Sequence, residues 1–98
     1  MGKKAVVFGS FVVDLMSRGP HLPSPGETVK GTDFAMGPGG KGFNQCVAAH
    51  KAGADVIMMT KLGEDEFSKV CLNTMDSLGM DKKHVIKTNE SSTGTALI

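Results

Sequence analysis

The chain has 98 residues, with eleven Lys and Arg against ten Asp and Glu, for a formal net charge of +1. That length bounds it to one domain with a modest core, and the near-neutral balance excludes a dedicated polyanion binder, which carries a basic patch or stripe. Five phenylalanines with no Trp or Tyr leave no large aromatic platform, and seven methionines point to soft, adaptable packing.

Lys3 to Phe8 predicts a short buried strand, its continuous apolar run Ala5 to Phe8 ended by Gly9-Ser10. It is too short for the apolar region of a signal peptide. No run approaches the 18 apolar residues of a membrane span, and Val6 stands where a myristoylation start needs Ser or Thr. The expected location is cytoplasmic. A second strand over 11–18 is interrupted by Asp14. Gly19 to Gly26 is a connector, because Pro20, Pro23 and Pro25 fix φ and exclude a central strand or a helix. Residues 28–36 alternate loosely and predict a half-exposed strand.

Gly37-Pro38-Gly39-Gly40-Lys41-Gly42 cannot be regular throughout. A helix is predicted from about Gly42 to Ala52, with Phe43, Cys46, Val47 and Ala49 on its apolar side and Gly53 as its stop. Residues 54–60 predict a buried strand, and Leu62-Gly63 a turn. Glu64 or Asp65 starts a second helix reaching Leu78, with Gly79 as its stop. A brief strand over 85–87, a turn over 89–92 and a strand over 93–98 follow. Helices alternating with short apolar strands imply an α/β fold with a parallel sheet. The strands at 11–18, 28–36 and 93–98 are too amphipathic for that sheet and predict a smaller one with an open face. An apolar strand that stops without a turn or polar tail predicts a truncated chain.

The two cysteines, Cys46 and Cys71, lie in apolar periodic stretches and read as buried free thiols without zinc-ligand spacing. His21, His50 and His84 form no metal or triad pattern. The glycine cluster is the chemical feature. It is not an ATPase phosphate loop: with Gly40-Lys41 as its Gly-Lys pair, Ala35 and Gly42 occupy the required glycine and hydroxyl positions. Gly37, Gly39 and Gly42 match a dinucleotide fingerprint, but not after the first strand, where it belongs. A polyol site fits better. Backbone amides of Gly39, Gly40 and Gly42 at a helix start can donate to hydroxyls, Lys41 adds a charged donor, and Asn44 both donates and accepts. Asp14 is the matching acceptor, since a carboxylate in an apolar strand needs a hydrogen-bond partner. The plain alternatives stay open: a solvent-facing Asp14, an Asn44 satisfying the helix start, a solvated Lys41.

The stretches Val6-Val7-Phe8-Gly9-Ser10, Leu22 to Thr28, Gly39-Gly40-Lys41-Gly42-Phe43-Asn44-Gln45, Lys61 to Asp65 and Ser92 to Ile98, together with Asp14, run in collinear order along the chain. In that pattern the sequence resembles the N-terminal part of the ribokinase-like family of carbohydrate and nucleoside kinases, nearest its ribose-phosphorylating members. The resemblance implies part of a three-layer α/β/α fold with a small β-sheet lid, so that 1–98 is an incomplete kinase domain with 11–18, 28–36 and 93–98 as lid strands. It implies transfer of the γ-phosphoryl of ATP, with Mg²⁺, to a primary hydroxyl of a small-molecule sugar. Asp14, Gly39, Gly40, Lys41 and Asn44 would be the sugar-binding set, and the lid would join two copies. No catalytic residue, cofactor site or metal site is expected within the chain, because the family's catalytic aspartate lies in a Gly-Ala-Gly-Asp motif far downstream. No nucleic-acid or membrane partner is implied.

Two positions depart from the family pattern. Val12 stands where ribose-phosphorylating members often carry Asn, and Phe43 where they carry Ala. Losing one polar partner shifts specificity. A related nucleoside or phosphosugar kinase, and an inactive sugar-binding or structural fragment, are the alternative functions.

Overall fold

The computed structural model describes residues 4–98; Lys3, placed by sequence in the first strand, lies outside the described residues. Its elements are β1 (Lys4–Phe8), β2 (Val12–Arg18), β3 (Asp33–Gly39), α1 (Lys41–Lys51), β4 (Asp55–Gly63), α2 (Glu66–Leu78), β5 (Val85–Thr88) and β6 (Gly94–Leu97). They form two three-stranded sheets, ordered β1-β4-β5 and β3-β2-β6. The first is wholly parallel. In the second, β2 is antiparallel to β3 and parallel to β6.

β4 is the spine of the first sheet. Its first half pairs with β1, from Asp55 opposite Lys4 to Met59 opposite Phe8. Its second half pairs with β5, from Thr60 opposite Val85 to Gly63 opposite Thr88. The strand expected to end near Thr60 therefore continues through Leu62-Gly63, because a second partner takes over the hydrogen-bond ladder where the first ends. Val56, Met58 and Leu62 of β4 are buried. Against this side lie Phe43 and Cys46 of α1 and Cys71 and Met75 of α2, all buried in one core. Each fully buried large apolar side chain contributes about 1.5–3 kcal/mol relative to exposure. Phe11, in the β1–β2 connection, meets Phe43 edge to face with ring centroids 5.0 Å apart.

The opposite side of the first sheet is bare. Phe8 is 87% exposed, and Val6 and Ile86 are each 57% exposed. The buried strand expected at 3–8 is thus corrected: of its described residues only Val7 is even half-buried. A continuous apolar run reports burial on two faces, and these 98 residues cover one.

Helix boundaries follow local chemistry. Asp65 is the N-cap of α2, accepting from the Ser68 backbone amide at 3.0 Å. Gly79 ends it in the left-handed region at φ +70°, a conformation that favours glycine. α1 begins at Lys41, one residue earlier than expected, and no side chain caps it. The strand expected over 28–36 is displaced to Asp33–Gly39, and residues 27–32 carry no regular element. β3 is an edge strand, and an edge tolerates Pro38, whose missing N–H can face away from the ladder.

The radius of gyration is 15.9 Å, against about 13 Å for a spherical domain of this length. The excess comes from the two sheets lying side by side, with the β3-β2-β6 sheet extending beyond the core.

Candidate functional site

β2 carries Asp14 at the centre of the second sheet. Residues opposite one another on paired strands share a face. Asp14 is opposite Gly37 of β3 and Ala96 of β6, so its face is lined by small residues. A Cβ placed on Gly37 would meet nothing within 4 Å, and the carboxylate stands beside open space.

The carboxylate leans along the strand toward Gly39. A Cβ on Gly39 would stand 2.5 Å from Asp14 Oδ1 and 2.6 Å from Oδ2, so only glycine admits this approach. Gly40 follows with φ +99° and turns the chain from β3 into α1. A Cβ there would fall 2.6 Å from the Ser10 carbonyl oxygen. That oxygen accepts a hydrogen bond from the Phe43 backbone amide at 3.2 Å, and the Asn44 amide donates to the Gly40 carbonyl at 2.8 Å. Gly42 is pressed against Gly9, where a Cβ would stand 2.8 Å from the Gly9 Cα. These glycines seat the start of α1 against the end of β1. No acid lies in the first turn of α1, so the Asp14 carboxylate, set over Gly39 just before that turn, is the acid placed beside its positive dipole end.

Of the expected site residues, Asp14, Gly39 and Gly40 are brought together, with Lys41 exposed at the adjoining first position of α1. Asn44 is placed differently. It borders a groove of about 400 Å³ between α1 and α2, with Pro38, Thr74 and Ser77, and the lining of that groove includes neither Asp14 nor Lys41.

The sequence reading missed a second polar centre. Asp65 does more than cap α2. Its Oδ2 accepts from the Thr93 backbone amide at 2.8 Å, and its Oδ1 accepts from the Thr93 hydroxyl at 2.7 Å. The Gly63 amide donates to that hydroxyl at 3.0 Å. These bonds, the Thr93 amide first, hold the Asp65 carboxyl below its ordinary pKa of 3.8. The only sequence signal was Asp65 before a helix and a threonine before a strand, 28 positions apart. Elsewhere Glu27 closes the proline-rich turn, accepting from the Ser24 amide at 2.9 Å. That bond, and then one with His21, lower its pKa.

The Gly40-Lys41-Gly42 turn has no hydroxyl to reach a metal-bound phosphate. Among the described residues, no three of His, Cys, Asp and Glu are grouped to hold a metal ion. No helix among them is long and apolar enough to cross a membrane.

A parallel sheet with helices on one side, joined to a small sheet carrying an acid over a glycine turn, is the N-terminal portion of a ribokinase-like α/β fold. The arrangement superposes on solved structures throughout its length. Against the structure of Arabidopsis thaliana ribokinase complexed with ribose and ATP the TM-score is 0.89 at 30% identity, covering 99% of this chain and 32% of that one. The chain is 39% identical over 93 residues to a mouse ribokinase, covering 95% of this chain and 29% of the relative. It is 40% identical over 92 residues to a Salmonella typhi deoxyribokinase, covering 94% and 30% respectively. The pfkB family carbohydrate kinase model matches residues 2–98. The chain belongs to the pfkB family of carbohydrate kinases, and it spans about a third of the length of the curated relatives it matches.

Proposed function

We propose that this chain is the sugar-binding N-terminal portion of an ATP-dependent carbohydrate kinase that phosphorylates a primary hydroxyl, with ATP and Mg²⁺ held by the part of the kinase that follows it. The observation that carries this reading is the Asp14 carboxylate set over Gly39 beside open space. Asp14 accepts hydrogen bonds from sugar hydroxyls, and the start of α1 with Lys41 supplies donors on the adjoining side. Asn44, on the groove between the helices, is not part of this set. The remaining walls belong to the two thirds of the kinase that this chain does not include. The protein works in the cytoplasm, on a small-molecule sugar and not on nucleic acid or at a membrane.

Ribose is the first candidate substrate. A 2-deoxypentose is the second, and Val12 favours it. Val12 lies on the Asp14 face of β2, two residues away, and offers no hydrogen bond to a hydroxyl. A substrate lacking one hydroxyl leaves nothing unpaired there.

Sugar-dependent ADP release by the full-length protein, with ribose, 2-deoxyribose, fructose, fructose phosphates and nucleosides compared, tests both readings. Turnover with a pentose and none with nucleosides is the expected result. Neither turnover nor sugar binding would leave an inactive structural fragment as the better account.

The distal part of the second sheet is apolar and open, with Phe34 67%, Met36 51% and Leu97 84% exposed. This supports pairing of two copies through the sheet. Sedimentation of the full-length protein should give a dimer, and Phe34→Asp a monomer.

A further inference from the structure

β6 is an exposed edge strand. Gly94, Thr95 and Leu97 are all exposed, and only Ala96 is partly covered. Few apolar contacts therefore hold it in place. It lies along β2 with Ala96 opposite Asp14, so its position sets one wall beside the carboxylate. Immediately before it stands Thr93, which is 4% exposed. The backbone amide and the hydroxyl of Thr93 are both tied to Asp65, and the hydroxyl also to Gly63. Its amide and hydroxyl donate to Asp65, and its hydroxyl oxygen accepts from the Gly63 amide. Gly63 is necessary here, since a Cβ would stand 2.5 Å from the Thr93 nitrogen and 2.7 Å from Asp65 Oδ2. The end of β4, the start of α2 and the start of β6 thus converge on one carboxylate and one hydroxyl. The Asp65 carboxylate spends two of its three described hydrogen bonds on a residue 28 positions away rather than on the helix it caps.

We infer that Asp65 and Thr93 are a positioning pair that latches β6 to the core and thereby holds Asp14 in its sugar-binding place over Gly39. The distance along the strand from Thr93 to Ala96 is three residues, about 10 Å, so neither residue touches the sugar. The latch acts through the sheet. It rests on the proposed sugar-binding role of Asp14, and the experiment separates the two.

In the full-length protein, Thr93→Val removes the hydroxyl and keeps the shape, and Asp65→Asn leaves the Thr93 hydroxyl and amide without a carboxylate. Each is expected to raise the sugar KM about tenfold, with a much smaller change in kcat and none in the ATP KM. Thr93→Ser restores the parental value. Amide hydrogen exchange over 94–98 accelerates in both variants while the core segment 56–62 stays protected. In an Asp14→Ala background, Thr93→Val adds no further rise, because its effect passes through Asp14. A lowered melting temperature with the sugar KM unmoved, or effects of Asp14→Ala and Thr93→Val that simply add, would overturn the latch and leave Asp65 a helix cap. Should Asp14→Ala alone leave sugar affinity intact, the sugar-site reading fails instead, whatever the latch variants do.

Discussion

The Asp14 carboxylate occupies the space that a side chain on Gly39 would need. A Cβ there would lie 2.5 Å from Oδ1, so the acid and the glycine are one feature, contributed by neighbouring strands of the second sheet. Gly39→Ala should push the carboxylate aside and weaken sugar binding tenfold or more, about 1.4 kcal/mol. Gly37→Ala is the steric control for folding, because a Cβ there meets nothing within 4 Å. Its unfolding free energy in urea should stay within the range of an ordinary surface change, about 0.5 kcal/mol. Equal loss of stability in both would show that the strand, and not the acid, was disturbed.

Asp14→Ala removes the acceptor itself. Hydrogen bonds involving a charged group contribute about 1.5–3 kcal/mol each, so titration calorimetry should show sugar affinity reduced by roughly 10- to 150-fold. The melting temperature should not change, since the carboxylate is only half-buried and packs against glycine. Unaltered affinity removes Asp14 from the site.

Gly42 and Gly9 meet backbone to backbone, with a Cβ on either falling within 3 Å of the other's Cα. Backbone cannot give way as a flexible side chain can. Gly42→Ala should destabilise by about 1–3 kcal/mol, as overpacking does, and tilt the start of α1 away from β1. A lower urea midpoint with an unchanged slope is the expected signature.

The Asp65 carboxyl is held below its ordinary 3.8 by Thr93 and Ser68. The sign follows from linkage. A group whose folded pKa is depressed stabilises the fold above its unfolded value and loses that contribution as pH falls through the folded value. The stability difference between the parent and Asp65→Asn should therefore be full at pH 6 and shrink below about pH 4. A difference that stays constant from pH 6 to pH 3 would mean that ionisation of Asp65 does not matter to the fold.

Burial pushes the Cys71 thiol up to about 12, with the neighbouring Cys46 as a lesser cause, and burial raises Cys46 as well. At pH 8 about one Cys71 in ten thousand would be a thiolate, the reactive form. A thiol-specific reagent should label neither cysteine in the folded protein and both in urea. Rapid native labelling of Cys71 would show that the core around Met58 and Met75 opens.

Much of the fold was legible because it is local. The spacing of Phe43 and Cys46 predicted a helix, Asp65 and Gly79 bracketed another, and the short apolar run before Gly9 predicted a strand. Errors arose where a neighbour decided. β4 was cut short at Thr60 because nothing local announces β5 as its second partner. β3 was ended three residues early because Gly37-Pro38-Gly39 looks like loop, and an edge position makes it strand. Asp14 and Gly39, chosen from chemistry, lie against each other, with Gly40 and Lys41 next along the chain, whereas Asn44 borders the groove between the helices.

By itself the sequence determined where the two helices run and where Gly9, Gly53 and Gly79 end their elements. Those signals lie within one helical turn or one strand of each other. Tertiary structure alone decided that Asp14 rests on Gly39, that one face of the first sheet is bare, and that Asp65 binds Thr93. Such contacts join residues 25 to 28 positions apart through the pairing of β2 with β3 and the meeting of β4, α2 and β6. No local preference encodes them, because hydrogen-bond satisfaction and close packing are properties of the assembled chain.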